Sequence, residues 1–138
     1  MEQAGGKEKI LVWMLRIGAV LTITAFPTVL LPAETMANWH AKLGMGAFPD
    51  VPVTGYMARS LSMLYGFHGV FTLIVSMDVR RYRPMVGFLG WMLLILGPAM
   101  LLIDLHSGMP PLWTATEGPP LILFGAAVLY LRRSIPTN

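Results

Sequence analysis

The chain has 138 residues, of which 55% are hydrophobic and only 12% are charged, whereas about a quarter of the residues in an ordinary soluble domain carry charge. It contains no cysteine, which excludes disulfide frameworks, cysteine-ligated zinc, iron–sulfur clusters and thiol redox chemistry. Its net charge of +3 comes from basic residues that flank apolar stretches, so the charge does not indicate a nucleic-acid partner.

Four apolar stretches are candidates to cross a membrane as helices, which takes about 20 residues each, and the fourth is slightly short of that length. They cover residues 10–31, 56–77, 85–104 and 118–133. The fourth is the shortest, and it begins at prolines that a helix accepts in its first turn, where amide donors have no partner. Between the first two stretches, Met36, Trp39 and Leu43 recur at helical spacing and predict a short amphipathic helix on the membrane surface. The sequence therefore predicts one all-α domain over residues 1–138, an integral membrane four-helix bundle.

Basic residues lie almost entirely at one set of helix ends. Eight of the ten lie near the start of the first stretch, between the second and third, or after the fourth. By the positive-inside rule, both termini and the connection at 78–84 are predicted to be cytoplasmic. The loops at 32–55 and 105–117 then face outward, and the short helix lies in the first of them. Glycines on the last three stretches suit contacts between helices, with a membrane protein partner or with a second copy.

Ionisable residues are concentrated at the opposite, outer helix ends. Arg59 and Asp104 have matching depths there, and an arginine within the membrane needs a counter-charge. We therefore predict an Arg59–Asp104 pair, with Glu117 as the competing partner. A structural clamp between helices is the simpler interpretation of this pair. If the segment after Asp104 is extended, Asp104 and His106 point the same way, and with Glu117 they form the candidate catalytic group.

Two further histidines are candidate binding residues together with Arg59. His40 or Glu117 could supply a third metal ligand beside Asp104 and His106, but the spacing matches no established metal motif, and no metal is predicted. His68 lies near the middle of the second stretch, where a proton relay or a haem ligand is one interpretation. Since no second histidine lies at that depth, a hydrogen bond to Thr22 or Thr24 of the first stretch is favoured, and no cofactor is assigned.

Three motifs and the overall layout resemble a known group of proteins. The motifs are Tyr-Gly-x-His-Gly at 65–69, Asp-x-Arg-Arg-Tyr-Arg-Pro at 78–84 and the run at 104–110. With the four-stretch layout, they resemble uncharacterised small bacterial inner-membrane proteins that are loosely DoxX-like. The resemblance implies a four-helix bundle and the inner membrane of a bacterium, and it implies no activity. Members called DoxX are linked to quinone or thiol redox systems, and the absence of cysteine removes the thiol part.

Two functions remain as hypotheses. The first is an accessory, assembly or lipid-associated subunit without chemistry of its own, with membrane lipids as its partners. The alternative is a membrane enzyme acting on a lipid, isoprenoid or quinone at the outer interface. In that enzyme, Asp104 or Glu117 would do acid–base work with His106, and the outer arginine would bind an anionic group. An enzyme requires these residues to surround a cavity, whereas a clamp requires them to touch one another.

Overall fold

The computed structural model describes the backbone of residues 2–135 and the side chains of residues 5–135. Within this part of the chain every regular element is helical. The elements are α1 (Glu2–Ile23), a 3-10 helix (Phe26–Leu30), α2 (Ala33–Lys42), α3 (Pro52–Met77), α4 (Arg83–Ser107) and α5 (Pro111–Arg132). By length and composition, the segments long and apolar enough to cross a membrane are Gly5–Leu30, Pro52–Met77, Arg83–Ser107 and Pro111–Arg132. These four segments support a helical, multi-pass membrane protein.

The first half of the chain follows the predicted pattern closely. The short helix predicted around Met36 is α2, and Met36 is its one buried residue. The α-helical geometry of α1 ends before Pro27, which lies in the first turn of the 3-10 helix. Proline has no amide hydrogen and its ring clashes with the carbonyl four residues earlier. The chain therefore tightens into a 3-10 helix instead of continuing as α-helix.

The predicted outer loop at 105–117 is wrong. α4 continues to Ser107, and α5 already begins at Pro111, so only residues 108–110 connect them. Gly108 makes this turn possible with a φ of +66°, a left-handed conformation that glycine adopts without steric cost. Pro119 and Pro120 consequently lie inside α5 rather than at its start. The prediction failed because Pro111 can occupy a first helical turn as well as Pro119 can.

The long helices pair as two antiparallel hairpins. The most extensive contact joins α4 to α5, and the next joins α1 to α3. In the α4–α5 hairpin the backbones themselves approach closely at glycines. A Cβ atom at Gly97 would lie 2.5 Å from Ile122 and 2.9 Å from the carbonyl oxygen of Gly118, and one at Gly125 would lie 2.8 Å from the carbonyl oxygen of Gly90. Small residues that permit such an approach are the common means of helix association in lipid.

In the α1–α3 hairpin, glycines of α3 instead receive side chains. The ring of Phe26 fills the notch at Gly66, where an added Cβ would lie 2.5 Å from the ring. Thr22 and the backbone of α1 occupy the corresponding position at Gly69, within 2.6–2.7 Å of such an atom. Phe26 also packs edge-on against Phe67, with ring centroids 5.4 Å apart. This hairpin therefore combines an interlocking side chain at Gly66 with a close backbone approach at Gly69, where an added Cβ would lie 2.7 Å from the carbonyl oxygen of Ala19.

The buried apolar core lies at one end of the molecule, which we call the basic end because residues 5–9, 78–83 and 132–135 form it. The core residues are Leu11, Leu15, Val75, Val79, Val86, Leu89, Val128, Leu131 and Ile135. All four long helices contribute to this cluster. The opposite, far end consists of α2, the loop at 43–51 and the turn at 108–110. Between the hairpins, α1 contacts α5 more extensively than α3 contacts α4, and the buried cluster that joins all four helices lies at the basic end.

Candidate functional site

The two carboxyl groups that the structure brings together are those of Asp104 and Glu117. The face of α4 that carries the interface glycines also carries Leu101. A Cβ atom added at Gly118 would lie 2.9 Å from the Cβ of Leu101. Asp104 follows Leu101 by three residues, which places it on the same face of the helix. Its side chain is only 3% exposed, and it lies against the first turns of α5, next to the carboxyl group of Glu117.

Trp113 fixes the position of Glu117. The two residues are four apart on α5, and the indole Nε1–H donates a hydrogen bond of 2.6 Å to Oε2 of Glu117. Tyr65 of α3 is close enough to Glu117 for the two side chains to interact electrostatically. Sequence reasoning assigned neither Trp113 nor Tyr65 to the site. The spacing of four residues between Trp113 and Glu117 indicates a side-chain contact, but only if residues 111–117 are recognised as helical.

One oxygen of Asp104 has no partner. Among the described residues, no donor reaches Oδ2, although it is fully buried. An ionised carboxylate can only accept hydrogen bonds, so two neighbouring carboxylates cannot satisfy each other. A proton held between Asp104 and Glu117, or a small cation, would provide the missing partner. The pair can therefore bind a proton or cation, or clamp α4 to α5 through a shared proton.

His106 does not belong to this pair, and the prediction that it points the same way as Asp104 is wrong. Both residues lie in α4, which continues to Ser107. Two helical residues that are two positions apart point to nearly opposite sides, because a helix turns about 100° per residue. Asp104 is consequently buried between α4 and α5, whereas His106 is exposed.

The predicted Arg59–Asp104 pair is also wrong. Arg59 donates from Nε to the carbonyl of Val29 at 3.2 Å and from Nη2 to that of Leu31 at 3.1 Å. It donates from Nη1 to the carbonyl of Gly55 at 3.3 Å. The last carbonyls of a helix have no partner within that helix, and the 3-10 helix ends beside Arg59. The clamp predicted between Arg59 and Asp104 is therefore not formed, and Arg59 instead holds the end of the 3-10 helix against α3.

His40 and Arg59 lie at a different place from the carboxyl pair. Nδ1 of His40 is 3.2 Å from the carbonyl oxygen of Gly46, and its ring packs edge-on against Phe48. These contacts organise the loop after α2. A groove of about 470 Å³ lies between α2 and the start of α3, with Phe48 and Arg59 among its lining residues. Neither Asp104 nor Glu117 lines this groove.

His68 is half-buried in α3, and the hydrogen bond predicted from it to Thr22 or Thr24 is not formed within residues 5–135. The hydroxyl group of Thr22 donates to the carbonyls of Gly18 and Ala19, both at 3.0 Å. That of Thr24 donates to the carbonyl of Leu21. Both threonines thus bond within their own helix, which is the usual local alternative for a threonine hydroxyl.

No metal centre emerges from the part of the chain that the structure describes, where no three His, Asp or Glu side chains come together to hold an ion. No protein-family model matches the chain, and no match was found among curated proteins or solved structures. The DoxX-like resemblance stays a prediction.

Proposed function

We propose that this chain is a small four-span protein of a bacterial inner membrane that serves as an accessory, assembly or lipid-associated subunit without chemistry of its own. In this proposal the four apolar helices form a bundle whose termini lie in the cytoplasm. The orientation follows from the basic residues, eight of ten at one set of helix ends.

The observation that carries the proposal is the separation of the predicted catalytic residues from the predicted arginine at the far end. Asp104 and Glu117 lie between α4 and α5, Arg59 is bound to carbonyls of the first hairpin, and His106 is exposed. An enzyme needs its acid, base and binding groups around one space where a substrate fits. Each of these side chains instead serves a local contact or none, which favours a structural and associative role.

The packing between the hairpins supports the associative part. The shared core is confined to the basic end, and α3 meets α4 only over a short contact. Lipid chains or a helix of a partner protein would therefore touch both hairpins along their far halves. In lipid such contacts depend on close packing, since burial of apolar surface alone provides little driving force.

Native purification tests the proposal. The tagged protein is extracted from its own membranes in a mild detergent, and co-purifying proteins and lipids are identified by mass spectrometry, with membranes lacking the tagged chain as the control. We expect one membrane protein or lipid class in stoichiometric amount. Purification of a chain with neither would contradict the proposal. Reporter fusions in the loops at 43–51 and 78–82 test the orientation separately.

A membrane enzyme remains the second candidate because one observation favours it, the unpartnered oxygen of Asp104 beside Glu117. In that case this pair alone would do the acid–base work on a lipid, isoprenoid or quinone. Asp104→Asn distinguishes the two functions. An enzyme loses turnover while keeping its associated lipids and proteins, whereas an accessory subunit without chemistry shows no turnover to lose.

A further inference from the structure

A second groove lies at the basic end, away from the carboxyl pair. It has a volume of about 430 Å³ and lies between α1 and the turn that follows α3. The charged residues that line it are Glu8, Lys9 and Arg16 of α1 and Arg80 of the turn. Three cations and one acid thus share this wall.

The acid is already neutralised by one of the cations. Nε of Arg80 donates a hydrogen bond to Oε1 of Glu8, and Nη2 donates one to Oε2, both at 2.9 Å. The carboxylate of Glu8 raises the pKa of Arg80, so the guanidinium remains charged. This bidentate pair holds the turn against α1 and leaves Lys9 and Arg16 as the uncompensated charges of the groove.

Arg16 carries the inference. It lies seven residues after Lys9 along α1, about 10 Å deeper at 1.5 Å per residue, and its side chain is exposed on the helix surface. Its guanidinium lies 5.9 Å from the ring centre of Trp13, one turn nearer the basic end. Among the described residues the one ion pair is that of Arg80 with Glu8. Within a membrane, a charge at such depth either snorkels to the surface or takes a counter-ion, and the described residues supply no counter-ion there.

We propose that this groove binds the phosphate group of an anionic phospholipid. Phosphate oxygens accept the paired hydrogen bonds that a guanidinium donates, and their negative charge attracts the ammonium group of a lysine. The apolar side of the groove favours a lipid over a free phosphate. Trp13 is 63% exposed, and Ile10 and Ile17 on the same helix are also exposed. Acyl chains can lie along this surface while the phosphate meets Lys9 and Arg16.

This inference rests on the proposed membrane location. The test is native mass spectrometry of the full chain in detergent with phosphatidylglycerol, and with phosphatidylcholine as the neutral comparison. We expect a preference for phosphatidylglycerol that falls about 25-fold in Lys9→Gln/Arg16→Gln, because each of the two charges that meets the phosphate contributes about a factor of five and the two factors multiply. The matched control is Arg81→Gln/Arg133→Gln, which removes two exposed charges at the same end outside the groove, and it keeps the preference.

Three outcomes would overturn the inference. An equal loss of the phosphatidylglycerol preference in both double variants means that the lipid is attracted by basic charge in general and not by this groove. Displacement of phosphatidylglycerol by free glycerol phosphate means a site for soluble phosphate. No preference in the wild-type protein means no site. If the groove variant does not fold, tryptophan fluorescence provides the test instead. Brominated phosphatidylglycerol should quench the wild-type protein more than it quenches Trp13→Phe. The membrane proposal fails separately, by reporter fusions that place the basic end outside or by purification without any partner or lipid.

Discussion

The two helical hairpins solve the same packing problem in different ways. α4 and α5 are joined by the short turn at 108–110 and approach backbone to backbone at glycines on both helices. α1 and α3 are separated by the 3-10 helix, α2 and a loop, and they are held by side-chain anchors together with one backbone approach at Gly69. The Phe26 ring lies in the notch at Gly66, and Arg59 binds carbonyls of the 3-10 helix.

The difference shows what each connection requires. A short turn brings two helices together at little entropic cost, so close glycine contact is enough to hold them. A long connection leaves the relative position of its helices open, and specific anchors along the hairpin must fix it. The α4–α5 pair should therefore be sensitive to added volume, and the α1–α3 pair to the loss of particular anchors.

The largest effect is expected from Gly97→Ala in the α4–α5 hairpin. The new methyl group would meet the carbonyl of Gly118 at 2.9 Å as well as Ile122, and a backbone atom cannot turn aside. We expect a loss of about 2–3 kcal/mol in the free energy of unfolding, measured by denaturation in detergent micelles. Gly6→Ala is the control, because a Cβ there has nothing within 4 Å. Equal stability of the two variants would remove the case for backbone contact.

Loss of the arginine clamp comes next. Arg59→Gln removes charged donors from the carbonyls of Val29, Leu31 and Gly55 and is expected to cost about 2 kcal/mol. Amide hydrogen exchange measured by mass spectrometry should show the change at 26–31 rather than in α4 or α5. Lys42→Gln removes an exposed far-end charge as the control. Greater exchange around Asp104 would instead restore the original ion-pair prediction.

A smaller effect is expected from Gly66→Ala, although its added methyl group meets Phe26 at the same 2.5 Å. The obstacle is a side chain that can rotate, so we expect a cost of about 1 kcal/mol. The double variant Gly66→Ala/Phe26→Leu gives the methyl group room and should recover part of the loss. Thermal unfolding of the wild type, of these two variants and of Phe26→Leu alone provides the comparison. A loss at Gly66 as large as that at Gly97 would mean that the Phe26 ring cannot move aside, and it would contradict the difference expected between a side-chain and a backbone obstacle.

The smallest effect is expected from Arg80→Gln, which breaks the exposed pair with Glu8. Because the hydrogen bond and charge of Glu8 raise the pKa of Arg80, the contribution of this arginine is complete below the pKa that it has in the unfolded chain and is lost only in strongly alkaline solution. The difference in Tm between wild type and variant should stay constant from about pH 7 to about pH 10 and shrink with added salt. A step in this Tm difference within that pH range would mean that another titrating group makes the contribution to stability.

The sequence was sufficient for the parts of the fold that depend on apolar length. It predicted four membrane-crossing segments and the short helix α2, and the second segment ends at Met77 as predicted. It failed at the start of α5, because proline at 111 and at 119–120 gives the same signal. Only tertiary packing decides which proline begins the helix, and the short turn at Gly108 settles it.

The candidate site was harder to predict because it depends on rotation about helix axes. Arg59 and Asp104 were assigned partners from depth alone, which does not say which way a side chain points. The carbonyls that bind Arg59 become free only because Pro27 ends α1 in a 3-10 helix. The approach of Asp104 to Glu117 depends on the register of glycines on α4 and α5, and that register required α5 to begin at Pro111.

The turn at 108–110 also determines how the second hairpin would enter a bilayer during synthesis. Three extended residues reach about 10 Å, far less than the hydrocarbon thickness of about 30 Å. α4 and α5 would consequently have to insert as one unit, with their apolar faces already paired. If both termini lie in the cytoplasm as proposed, Asp104, which is 3% exposed in the folded chain, would cross the membrane shielded by its own partner helix.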